Sequence, residues 1–155
     1  MSPPGPPTPE HRQLARFAGT WRVRETLHPS PWDPRGGTAE ATLVARLILD
    51  GLALEEDYEQ RREGRVTYRG HGVLAWDPRE ARYLLWWFDT LGQPPRAPAR
   101  GSFEGDRLVL EQESPVGRAR YTYDFVRDGE FAFRIEHSRD GKDWRAFVEA
   151  RYVRE

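Results

Sequence analysis

From residue 19 onward the chain alternates apolar and polar side chains in short runs, broken by glycine- or proline-containing turns. Trp21, Val23, Glu25 and Leu27 alternate with Arg22, Arg24 and Thr26, a period of two that only an extended strand converts into two distinct faces. Similar runs recur at 38–49, 52–62, 65–76, 82–89, 99–103, 107–114, 117–125, 130–138 and 144–153. The separators are short: Asp50-Gly51, Glu63-Gly64, Glu104-Gly105-Asp106, Pro115, Asp128-Gly129 and Asp140-Gly141. Connections of this length join sequential antiparallel strands, and none is long enough for a helical crossover. Two connections are longer and rich in proline, 28–37 and 92–98, and proline cannot donate to a central ladder.

These patterns predict an all-β protein: a single antiparallel, mostly up-and-down barrel of about ten strands. An open sheet of that width would leave exposed edges and fight its own twist, and closure removes both problems. A two-sheet sandwich fits less well, because it calls for longer Greek-key crossovers. A short N-terminal helix precedes the strands. Thr8 is placed to cap it, Pro9 opens it, Leu14, Phe17 and Ala18 share one face, and Gly19 ends it. So short a helix needs a surface to pack on, which the end of a barrel provides. Residues 9–155 are therefore read as one barrel domain and residues 1–8 as a disordered proline-rich tip.

Composition narrows the function classes. The 155 residues include no cysteine, which removes disulfides, thiol nucleophiles and thiolate metal sites. Twenty-four basic and 25 acidic residues are interspersed, giving a formal charge of −1 and no basic tract that would track phosphates, so no nucleic-acid partner is expected. No run of 18 apolar residues spans a membrane, and the N-terminus lacks the basic and apolar regions of a secretory signal; a cytoplasmic protein with no membrane partner is the expectation.

If Trp21 faces inward, so does Glu25. The same parity sets Leu54, Glu56, Tyr58 and Gln60 on one face. It sets Phe131, Phe133, Ile135 and His137 against Trp144, Ala146, Val148 and Ala150. The inferred interior is aromatic with a polar minority of Glu25, Glu56, Gln60, Gln112 and His137. Two readings fit: an apolar pocket with a few orienting groups, or a packed core with ordered water. In segment 65–76, His71 shares a face with Thr67, Arg69, Val73 and Ala75, opposite Gly70 and Gly72, and either face fits the interior. No metal is expected, since His-x-His and His-Glu-x-x-His spacings are absent.

The loop His28-Pro29-Ser30-Pro31-Trp32-Asp33-Pro34-Arg35-Gly36-Gly37 reads as a plug or lid over one barrel end, with Asp33 capping its own turn and His28, Trp32 and Asp33 on its rim. Enzyme motifs are missing: there is no Gly-x-Ser-x-Gly elbow, phosphate loop or dinucleotide fingerprint. Catalytic residues are therefore not assigned, and whether the protein is an enzyme is left open.

Several stretches resemble a known family. Phe17-Ala18-Gly19-Thr20-Trp21, the 28–38 loop, Leu49-Asp50-Gly51, Asp57-Tyr58-Glu59-Gln60-Arg61, Tyr68-Arg69-Gly70-His71-Gly72-Val73, Trp87-Phe88-Asp89 and Gly101 to Asp106 are similar to the DUF1579 family of bacterial proteins. The resemblance runs from residue 14 to 153 and implies a lipocalin-like (calycin-type) barrel, with no cofactor or catalytic residue to carry over. Gly19-Thr20-Trp21 also resembles the start of lipocalin and nitrobindin-like barrels, in which a tryptophan packs one end. Nitrobindin-like proteins hold haem through a histidine near the C-terminus, and Trp144 to Arg154 contains none.

The leading expectation is non-enzymatic binding of a small, partly apolar molecule, with Glu25, His28, Trp32, Asp33, Glu56, Tyr58, His71 and His137 as candidate ligand-binding residues. The alternatives are an enzyme with His71 or His137 as acid/base, and a structural homo-oligomeric module. The last is motivated by segment 82–89, which is apolar on both faces and so points to a homodimer.

Overall fold

The computed structural model describes residues 5–31 and 33–155. A short helix α1 (Pro9–Arg12) runs into a 3-10 turn (Gln13–Phe17), and ten strands follow. They are β1 (Gly19–Leu27), β2 (Gly37–Ile48), β3 (Ala53–Arg62), β4 (Arg65–Asp77), β5 (Arg82–Asp89), β6 (Ala99–Glu104), β7 (Arg107–Ser114), β8 (Gly117–Arg127), β9 (Glu130–Ser138) and β10 (Arg145–Arg154). Each strand pairs with its sequence neighbours, and β1 pairs antiparallel with β10, closing the barrel. The expected meander and nearly all its boundaries are present. The helix is shorter than expected, giving way to 3-10 geometry at Gln13. Thr8 is its N-cap, as expected, and its N–H donates to the ring Nδ1 of His11 at 3.0 Å.

Alternation decides what each strand buries. On β1, Trp21, Val23, Glu25 and Leu27 are buried while Arg22, Arg24 and Thr26 are exposed. The β3–β4 register sets Tyr58 opposite Gly70 and Glu56 opposite Gly72, so Tyr68, Gly70, Gly72, Leu74 and Trp76 face inward and His71 faces out beside Asp57. On β5, Tyr83, Leu85 and Trp87 point inward, and Trp86 and Phe88 stay on the exposed outer face.

One row departs from simple parity. The β9–β10 register shifts between Ala146 and Val148, and this irregularity inverts the alternation below it. Val148 and Ala150 remain inward, but Ala146 sits beside outward Glu136, and the Trp144 ring lies 4.0 Å from the Arg120 guanidinium. Trp144 and Ala146 thus do not belong to the inner face on which strict alternation placed them.

The two barrel ends differ. At one end the helical segment folds over the opening, and Leu14, Phe17 and Trp21 are completely or almost completely buried. The Trp21 indole N–H donates to the Phe17 carbonyl at 2.8 Å, and Arg154 lies over the Trp21 ring while donating to the Ala18 and Arg16 carbonyls. Phe17 meets Tyr123, Phe125 and Phe131 edge-on at 5.0–5.7 Å between ring centres. The opposite end carries the two long connections, 28–36 and 90–98.

The plug sets the first prediction. Trp21→Ala should cost about 3–5 kcal/mol in urea unfolding, the usual range for emptying a buried aromatic site. Trp21→Phe should cost less, because it keeps a ring and loses mainly the bond to Phe17.

Candidate functional site

Above the plug the barrel is hollow. A cavity of about 500 Å³ is lined by Glu25, Glu56, Tyr58, Gln60, Trp87, Tyr121, Tyr123, Phe133, Ile135, Val148 and Tyr152, among others, and Leu91, Gln93 and Pro95 form its rim. Space is available because β2 contributes Ala39, Ala41 and Ala45 to the inner face, and β4 contributes Gly70 and Gly72. The glycines are matched to one ring: a Cβ on Gly70 would stand 1.9 Å from the Trp87 ring, and one on Gly72 would stand 2.8 Å from it. Trp87 therefore lies flat against the bare backbone of β4. Its indole N–H donates to the Tyr68 hydroxyl at 2.8 Å, which donates onward to Asp89 at 2.7 Å.

The rim follows from the sheet. β5 pairs with β6 only from Tyr83 to Leu85 among the described residues, so beyond Leu85 the two strands part. The proline-rich crossing bridges this gap, held by Gln112, whose side-chain N–H donates to the Ala97 carbonyl at 2.8 Å. Sequence reasoning treated that crossing as a break between strands and did not place it at a cavity rim. The signal was the second cluster of prolines, at a point where strand pairing had to lapse.

Two acids sit in the interior. Tyr58 donates its hydroxyl to Glu25, and Gln60 donates to the other Glu25 oxygen at 3.1 Å. Burial pushes the Glu25 carboxyl up to about 7, against the opposing pull of the Gln60 hydrogen bond and the Arg62 charge. Glu56 lies on the same inward row of β3 as Tyr58 and Gln60, and has no hydrogen bond from any described residue. Burial pushes it up to about 7 as well; the His71 charge opposes this and the Asp57 charge adds to it. Desolvation also raises the Tyr123 and Tyr152 phenols well above their usual range, so they enter the cavity as neutral groups.

The other expected residues lie elsewhere. His71 is on the outer wall, its Nδ1 2.7 Å from Asp57. His28 is held at the barrel end, its Nε2 2.9 Å from Glu149. Asp33 accepts a bond from Arg62 and receives the Gly36 N–H at 3.3 Å, the turn cap expected of it. His137 continues the inward row of β9, opposite Ala119, at the loop-bearing end. No histidine is among the described lining residues, so acid/base chemistry in the cavity would fall to Glu25, Glu56 or Tyr58. Trp32 lies outside the described residues. Among the described residues, no cluster of three or more potential metal ligands occurs and no helix is long and apolar enough to cross a membrane.

A closed, ten-stranded antiparallel barrel plugged at one end and hollow above is a lipocalin-like, calycin-type barrel with room for a small molecule. The chain belongs to the DUF1579 family (protein of unknown function), whose signature covers residues 6–154. Solved structures share the fold, three of them as follows. Rv2717c from M. tuberculosis matches with a TM-score of 0.73 and 18% identity, over 96% of this chain and 98% of that one. The S-type phycobiliprotein lyase CPES from Guillardia theta gives 0.65 and 15%, again over 96% and 98%. EF1p2_mFAP2b bound to DFHBI gives 0.50 and 14%, over 94% and 99%. A search of curated proteins found no match.

The two buried acids give a pH prediction. Their folded-state values near 7 exceed the ordinary 4.5, so between these limits the folded protein holds more protons than the unfolded chain. Their contribution to stability is complete below 4.5 and is lost as pH rises through 7. The double variant Glu25→Gln, Glu56→Gln should flatten the fall in melting temperature between about pH 5 and pH 8, with roughly 3 kcal/mol at stake per carboxyl. Thermal melts across that range read it directly.

Proposed function

We propose that the protein is a non-enzymatic binder of a small, partly apolar molecule held in the barrel cavity. The observation that carries this reading is the cavity itself: about 500 Å³ of space with aromatic walls and two hydrogen-bonded polar groups, Glu25–Tyr58–Gln60 and Trp87–Tyr68–Asp89. Ligand pockets have this size and make-up, apolar surface for affinity and a few fixed polar atoms for orientation. A barrel selected only for stability would fill such a volume, since each void forfeits contacts. The alanines of β2 and the glycines of β4 keep it open.

The fold is compatible with this use but does not choose it. One structure of similar fold is bound to DFHBI and another is named a lyase, and one fold hosts many activities. What favours binding over catalysis is the setting of the acids. No histidine lines the cavity among the described residues, and Glu25 is held by two donors in a fixed arrangement.

The test uses Nile red, a neutral apolar dye that brightens in a dry environment. The protein should enhance its fluorescence with saturable, one-to-one binding. Ile135 and Val148 are cross-strand partners in the cavity wall. Ile135→Trp or Val148→Trp should weaken dye binding by roughly tenfold or more by filling the space, with an unchanged far-ultraviolet spectrum. Uptake that is equal in the filled variants would remove the cavity as the binding site.

A further inference from the structure

The cavity wall is chemically one-sided. Its lining includes three acids, Glu25, Glu56 and Asp89, and no lysine, arginine or histidine among the described residues. The three are not equivalent. Asp89 receives the Tyr68 hydroxyl near the rim, and Glu25 receives Tyr58 and Gln60. Glu56 is only 7% exposed, yet no described residue donates a hydrogen bond to it. Its cross-strand partner on the inner face of β4 is Gly72, where a Cβ would stand 3.0 Å from the Glu56 Oε1 and 2.8 Å from the Trp87 ring, so the carboxyl packs against bare backbone beside the indole. A desolvated carboxyl without a protein donor is costly, and the chain retains it at the wall of this largely aromatic cavity.

We propose that the ligand of this cavity is an apolar organic cation, an amine carried in its ammonium form, with Glu56 and Glu25 meeting its charge and the aromatic walls enclosing its body. This rests on the binding function proposed above and specifies its ligand class. The ammonium brings to Glu56 the positive charge that no described residue of the lining supplies. Tyr58, Trp87, Tyr123 and Phe133 offer ring faces of the kind that attract cations, most strongly where water is excluded. An anionic ligand would meet the acids with no cation of the wall to balance it.

The charge state of the wall supports the same assignment. Glu56 is influenced by Asp57 on its own strand and His71 on β4; its partner on β2 is the uncharged Ala45, and Tyr123 on β8 and Tyr152 on β10 feel its charge. Glu25 faces Tyr58, Gln60 and Arg62 of β3 and Tyr152 of β10, with uncharged Ala39 and Ala150 beside it on β2 and β10. With both carboxyls pushed up to about 7, the empty cavity holds protons that an entering cation displaces. Affinity for a permanent cation therefore rises with pH through 7, whereas affinity for a neutral molecule has no such dependence on their charge.

The experiment is competition against bound Nile red by two molecules of one shape. These are N,N,N-trimethyltryptammonium, charged at every pH, and 3-(3,3-dimethylbutyl)indole, its neutral carbon isostere. At about pH 8.5 the cation should displace the dye at a concentration roughly tenfold lower than the isostere, and at about pH 5.5 the gap should shrink below about threefold. Glu56→Gln should shrink the gap at the higher pH to about threefold or less while Nile red still binds. Should that variant fail to fold by circular dichroism, Glu25→Gln is read in the same way. If the isostere competes as well as the cation at the higher pH while the dye binds normally, the ligand-class assignment is overturned and the binding function stands. Absence of Nile red uptake by the unaltered protein would remove both.

Discussion

The pairing of β1 with β10 turns ten meandering strands into a closed wall, and the interior chemistry follows from that closure. Once the sheet has no edge, every second residue of each strand must project into a common space whose width the strand number sets. Ten strands enclose more than their side chains fill when several of those side chains are alanine or glycine. The surplus is unevenly distributed. Phe17, Trp21, Phe125 and Phe131 consume it at one end, where the N-terminal segment folds inward and Arg154 clamps it through the Ala18 and Arg16 carbonyls. At the other end no described residue forms a comparable plug, and the volume survives as a cavity.

That asymmetry separates two tasks within one small domain. The plugged end gathers aromatic contacts at 4.4–6.4 Å between ring centres and supplies packing energy. The hollow end works against stability in three ways: it leaves space unfilled, it desolvates two carboxyls, and it interrupts β5–β6 pairing after Leu85. Local departures from good packing and full polar satisfaction concentrate where a protein has something to do. All three meet on one cavity, which is the strongest physical reason to regard that cavity as the working part of the molecule.

Much of the fold was legible before any coordinates. Strand starts and stops followed from alternation and from the Asp-Gly and Glu-Gly turns, because those signals are local. Glu25, Glu56 and Tyr58 were legible as interior groups for the same reason: each shares parity with buried apolar neighbours on its own strand. Trp144 was misplaced because an irregularity in the β10 register leaves no mark that alternation alone reveals. His71 could not be assigned to a face because both faces of β4 look acceptable in isolation. Its outward position is set by the β3–β4 register, which sends Gly70 and Gly72 inward against Trp87.

The sequence by itself therefore determined a closed antiparallel barrel with an aromatic interior and a few buried acids, since period and turn chemistry act within a strand or across one hairpin. Tertiary structure decided that the interior is hollow and not packed, that Leu91, Gln93 and Pro95 stand at its rim, and that Glu56 has no donor among the described residues while Glu25 is held by two. Those properties depend on how far apart opposite walls stand and on which side chains reach across the gap. Barrel closure fixes that distance, and no single strand encodes it.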